Sequence, residues 1–185
     1  LATARTAELL AAKREAIEAG ELEGPPGIAP LVMPTRTFDG EIEIEVGSRR
    51  FEALHVEIHS DDAAVVWDRE NGILLAGDTV EDTVTFVDEP HAFETHLRDL
   101  DRLLALAPAR VLPNHGDPDV IAGGGYGPGL LSATQDYIRF LQRCREQPEL
   151  RELPLRDVVA AGIESGDLRY FEPYEPVHRH NLTTL

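Results

Sequence analysis

The chain has 185 residues, 42% of them apolar, enough to bury one sizeable core and to bound the molecule to one domain or little more. Seventeen Lys and Arg against 34 Asp and Glu give a formal charge of −17, so phosphate backbones and anionic lipid surfaces are repelled and neither nucleic acid nor membrane is expected as a partner. A single cysteine, Cys144, excludes an internal disulfide and a thiolate zinc cage, and no apolar stretch or basic leader points to a membrane or export, so a cytoplasmic chain is expected.

Residues 1–19 are Ala, Leu, Glu, Lys and Arg almost throughout, with Leu9, Leu10, Lys13 and Ile17 along one side and Gly20 just beyond, which predicts a helix with a glycine stop. Gly24-Pro25-Pro26-Gly27-Ile28-Ala29-Pro30 can continue neither helix nor sheet and reads as a surface connection. Strict alternation in Glu41-Ile42-Glu43-Ile44-Glu45-Val46 predicts a strand with one wet face, turned by Gly47-Ser48 into a second strand over 51–58. Two short apolar strands, 63–67 and 73–76, follow around an Asn71-Gly72 turn, giving four antiparallel strands in series. Residues 91–107 return to a helical period, with Leu97, Leu100, Leu103, Leu104 and Leu106 as the stripe and Pro108 closing it. A short strand over 110–113 precedes the glycine loop 123–129. Helices are predicted at 130–144 and 155–165, an extended piece at 170–174 and a helical start at Pro176. Strands first and helices after, with one strand interleaved, imply an α/β chain of α+β type: a mixed, mostly antiparallel sheet covered by helices. The chain starts on Leu and stops within a helical pattern, so a longer native polypeptide, beginning well before Leu1, is expected.

Three segments place a metal-competent side chain just past an apolar run: Ile58-His59-Ser60, Gly77-Asp78-Thr79 and Asn114-His115-Gly116. Zinc takes neutral imidazole and carboxylate, and an Asp at a rigid strand end can aim its two oxygens in different directions, so His59, Asp78 and His115 are the candidate metal ligands. Taken singly, a His near a strand end is more often a satisfied polar residue, and Gly-Asp or Asn-His-Gly more often a turn; the joint pattern carries the reading.

Those segments, with the stretch from Glu41 to Asp117 around them, resemble the second half of the metallo-β-lactamase-fold hydrolases. The family's third His matches His59, its strand-ending bridging carboxylate Asp78, and its last His matches His115. The resemblance implies one sheet and the covering helices of an αββα sandwich, with Asp78 between two zinc ions (iron or manganese also suits such donors) and a bridging hydroxide attacking an ester, lactone, thioester or amide carbonyl of a small-molecule substrate. The family's His-x-His-x-Asp-His run is absent from the chain, and Ile58, Asp61 and Asp62 depart from the usual Gly and Pro-Gly. One domain over 1–185 is therefore expected to be an incomplete fold: helix and linker in 1–40, the ligand-bearing sheet in 41–117, and the glycine loop with C-terminal helices in 118–185. The missing N-terminal half of the same fold is the expected partner, because half a sandwich leaves an apolar sheet face open. A phosphodiesterase or nuclease, an iron redox member, and a metal-free assembly module that keeps only the fold are the alternatives.

Other residues divide less sharply. His55 lies on the same strand face as His59 and is the alternative ligand, while His91 and His96 read as packing or capping residues. Glu81 reads as part of a solvated loop, with Asp82 left open. The glycine loop lacks a Lys-Ser/Thr for a phosphate cradle and reads as a flexible pocket rim with Tyr126 at its tip. His178, His180 and Asn181 are expected to tie down the last helix, with a supporting role behind the ligands as the lesser alternative.

Overall fold

A computed structural model describes residues 1–21, 28–87 and 89–185. Residues 24–27 of the expected surface connection lie outside this set.

The N-terminal helix forms in two pieces, α1 (Ala4–Ala12) and α2 (Arg14–Glu18), because the backbone at Lys13 leaves helical geometry. Thr3 caps α1: its Oγ1 accepts the Thr6 N–H at 3.0 Å, the role Thr fills well at this position. Just before it, β1 (Ala2–Thr3) pairs in parallel with β2 (Thr37–Phe38) as a separate small sheet, an element the sequence pattern did not announce.

The main sheet has five strands in the order β3 (Glu41–Val46), β4 (Arg49–His55), β5 (Ala64–Asp68), β6 (Ile73–Gly77) and β7 (Arg110–Pro113). The first four are antiparallel neighbours in series, as expected, and β7 returns parallel to β6 after α3 (Phe93–Ala105). A parallel return needs such a crossover helix. The α5 helix (Gly129–Glu146) packs on α3, and the apolar sides of both meet Leu54, Val65, Trp67, Leu74, Ala76 and Val111 of the sheet in one core. Pairing register places these six residues on one sheet face.

The opposite face is apolar as well. Ile44 pairs with Phe51, and Val66 pairs with Leu75, which pairs in turn with Leu112. None of these is buried; Leu75 is 43% exposed and neighbouring Val46 is 60% exposed. The sheet is thus covered on one side and open on the other.

Short helices α4 (Pro118–Ala122), α6 (Leu155–Val158) and α7 (Ala160–Ser165) and the last helix α8 (Glu175–Thr183) complete the chain. The single helix expected over 155–165 is split at Val159, and a 3₁₀ turn at Glu172–Tyr174 occupies much of the expected extended piece. Among the described residues, no helix is long and apolar enough to cross a membrane.

Candidate metal centre

Because β6 and β7 run parallel, their C-terminal ends lie side by side and deliver residues 78 and 114–115 to the same edge. Gly77 has φ +58, a left-handed conformation that turns the chain sharply out of the strand and is open to glycine at little cost. The Asn114 N–H donates to the Gly77 carbonyl at 2.9 Å, and the Asp82 N–H donates to the His115 carbonyl at 3.3 Å. Both of these fastenings are backbone bonds.

Between those fastenings His115 Nε2 stands 3.3 Å from Asp78 Oδ1. That oxygen is buried yet accepts no hydrogen bond. Leaving a carboxylate oxygen unpaired costs about 1–3 kcal/mol or more, and two lone-pair atoms at this separation suit a shared cation. Here an orphaned acceptor and an imidazole fit one side of a metal ion.

His59 follows the buried Ile58, which is anchored through the preceding residue: the Glu57 N–H donates to Asp99 Oδ2 at 2.8 Å, and Asp99 is itself buried on α3. The His59 backbone has φ +70, uncommon for a residue with a Cβ and worth about 1–3 kcal/mol of strain that neighbouring structure must hold. Its Nδ1 lies 3.2 Å from the Phe86 carbonyl. A carbonyl only accepts, so Nδ1 carries the proton and Nε2 keeps its lone pair, the form in which imidazole binds metal. His55, by contrast, has its Nε2 against the Asp61 carbonyl at 3.0 Å.

The structure thus pairs Asp78 with His115 and gives His59 a ligating tautomer. Among the described residues, no three His, Cys, Asp or Glu side chains stand together as a ready ion cage, so His59 does not close one with the other two. The donor chemistry fits zinc or iron; the donor set seen here is partial.

Two expectations about the surroundings are corrected. Glu81 is not in a solvated loop: it is buried, its Oε2 accepts the Tyr174 hydroxyl at 3.0 Å, and its backbone N–H donates to Thr85 Oγ1. Burial pushes its carboxyl above the usual range against the opposing Tyr174 bond, and it lies within electrostatic reach of His115, His59 and Asp78. Tyr126 is not a loop tip either. It is buried, donates its hydroxyl to Asp82 Oδ2 at 2.8 Å and accepts the Asp117 N–H at 2.7 Å. The Asp82 carboxylate, also buried, takes the Arg169 N–H on both oxygens, so this network ties the loop after Asp78 to the turn after His115 and to the C-terminal region. His96 is a packing residue as expected, fully buried on α3, but neither ring nitrogen has a hydrogen-bond partner. Tyr174 is a contributor that sequence reasoning did not single out; Asn181, expected to help tie down the last helix, does so by accepting the Val87 N–H, and no local signal marks either residue's partner, some 90 positions away.

No curated protein matches the chain. Among solved structures, a metallo-beta-lactamase from Pontibacter korlensis is similar at 20% identity, covering 74% of this chain and 56% of that one with a TM-score of 0.51. A metallo-beta-lactamase family protein from Thermus thermophilus is similar at 19% identity, covering 98% and 60%, also with a TM-score of 0.51. The chain thus spans less than two thirds of the length of either structure, and the likeness is one of fold. A family model described as the metallo-beta-lactamase superfamily matches residues 5–115. That match covers more than half of the chain, and the chain belongs to the metallo-beta-lactamase superfamily.

Proposed function

We propose that the chain is the site-bearing C-terminal part of a metal-dependent hydrolase acting on an ester, lactone, thioester or amide carbonyl of a small molecule. The observation that carries this reading is the buried, unpaired Asp78 Oδ1 facing His115 Nε2. Asp78 and His115 would hold an ion on one side, with His59 offering Nε2 from the neighbouring loop. A bound zinc or iron ion would supply Lewis-acid polarisation and activation of water. Glu81, fixed by Tyr174, walls the same space with a carboxyl whose burial favours the protonated form, so it can hold a proton beside the reacting carbonyl. The formal charge of −17 weighs against a nuclease.

The open apolar sheet face supports the companion proposal that a second sheet, the first half of the same fold, packs on it in the whole protein. A metal-free assembly module is the second reading, favoured by the partial donor set. Elemental analysis of the whole protein beside an Asp78→Ala variant, with hydrolysis of chromogenic esters, lactones and thioesters, separates the two. Bound metal near stoichiometric in the parent and strongly reduced in the variant is expected. Equal metal content in both would overturn the assigned role of Asp78, and metal-free protein would favour the module.

A further inference from the structure

We propose that Asn181, on the last helix and outside the family-matched residues, is the positioning residue that sets the tautomer and aim of His59. This inference rests on the reading of His59 as a metal ligand.

The argument starts at the segment 85–87, which has no regular secondary structure and so cannot fix its own carbonyls through a ladder. Asn181, with no exposed surface, supplies the missing partners: its Oδ1 accepts the Val87 N–H at 2.9 Å and its Nδ2 donates to the Thr85 carbonyl at 3.0 Å. One planar amide thus grips the backbone on both sides of residue 86. Tyr137 fixes that amide in turn, its hydroxyl 3.2 Å from Nδ2. The Phe86 carbonyl shares its peptide plane with the gripped Val87 N–H, and it accepts His59 Nδ1–H. The ring of residue 86 is held from the same helix, stacked on His180 with centroids 4.5 Å apart at 14°, and it meets His59 edge-on at 6.1 Å. His59 itself sits in a strained left-handed backbone conformation, so local chain preference does not hold its ring in place. The C-terminal helix therefore directs both the hydrogen-bond acceptor and the aromatic wall that orient the imidazole. Partners behind a metal-binding His commonly change metal affinity by about 10–100-fold when removed.

The test is ¹⁵N NMR of the His59 ring in the whole protein, for the parent, Asn181→Leu and Asn181→Asp, with and without one equivalent of zinc. Asn181→Leu has similar volume and deletes both grips; Asn181→Asp keeps the acceptor for Val87 N–H and loses the donor to Thr85, so it serves if the leucine variant folds poorly. In the parent the proton is expected on Nδ1 alone. In Asn181→Leu a mixture of tautomers is expected, with zinc affinity by calorimetry at least tenfold weaker, and Asn181→Asp should fall between. A general loss of stability would not by itself exchange the two ring tautomers of the folded population. A single Nδ1–H tautomer in every variant overturns the positioning role. A His59 Nε2 signal that zinc leaves unmoved in the parent overturns the ligand reading instead, and the tautomer comparison still decides what Asn181 does.

Discussion

Replacing His96 by leucine should leave the protein as stable or more stable at neutral pH and flatten its acid sensitivity. His96 is 1% exposed and both of its nitrogens lack partners. An unpaired buried polar group costs about 1–3 kcal/mol, and leucine of similar size removes that cost while keeping the packing against Phe93 and the core. A gain of about 1 kcal/mol corresponds to about 2–4 °C in melting temperature for a chain of this length. Burial lowers the imidazole from its ordinary 6.5 to about 4, with Asp99 pulling the other way. Above pH 6.5 the ring is neutral folded or unfolded, and pH has no leverage through it. Between about 6.5 and 4 the unfolded chain takes a proton that the folded one refuses, so stability falls as pH falls and levels off below the folded value. At about 1.36 kcal/mol per pH unit that amounts to about 3 kcal/mol. Urea unfolding of parent and His96→Leu from pH 7 to 4 isolates this group together with its coupling to Asp99, because the groups remote from His96 are common to both proteins. A difference curve that stays flat between pH 6.5 and 4, or a loss above about 2 kcal/mol at pH 7, would refute the reasoning.

The remaining predictions concern the loop network and the open face. Tyr126→Phe leaves Asp82 and the Asp117 N–H each short of a partner and should cost about 1–3 kcal/mol in denaturant unfolding. A Cβ at Gly116 would stand 2.6 Å from the Tyr126 hydroxyl oxygen, so Gly116→Ala should destabilise by about 1–3 kcal/mol and do so less in a Tyr126→Phe background; additive effects in the double-mutant cycle would rule out this contact. Leu75→Asp is an exposed change if the second sheet face is bare, costing under about 0.5 kcal/mol, and a cost of several kcal/mol if another sheet covers it, so thermal unfolding of the whole protein tests the packing proposal, which expects the large loss. Tyr174→Phe takes away the hydroxyl that supports ionised Glu81, so the Glu81 carboxyl should titrate at still higher pH, visible by ¹³C NMR as a shift of its midpoint upward.

Local chemistry made the sheet and the Asp78–His115 pair legible. The alternation in Glu41-Ile42-Glu43-Ile44, the glycines at 47 and 72, and a ligand-type residue just past each of two strands are signals that span a few residues. Those two strands became parallel neighbours, so their ends had to meet. Glu81 and Tyr126 were misjudged for the opposite reason. A carboxylate in a loop reads as solvated until the tyrosine that covers it, 93 positions later, is folded into place. Likewise Tyr126 among glycines looks like a mobile tip, yet its partner Asp82 lies 44 positions earlier. Asn181 shows the limit most plainly, since an asparagine in a helix carries no mark of the distant backbone it will grip. The break of the first helix at Lys13 and of the later one at Val159 had no glycine or proline to announce them.

The paired backbone bonds between the turn at 77–82 and the turn at 114–115 have one more implication. Since these main-chain bonds and the Tyr126–Asp82 contact hold residues 78 and 115 in place without using either of their side chains, either side chain can be exchanged for another donor without loosening the frame. On the metal-binding reading proposed above, selectivity between cations would then drift through single-codon changes, one residue at a time, while the scaffold stays as it is.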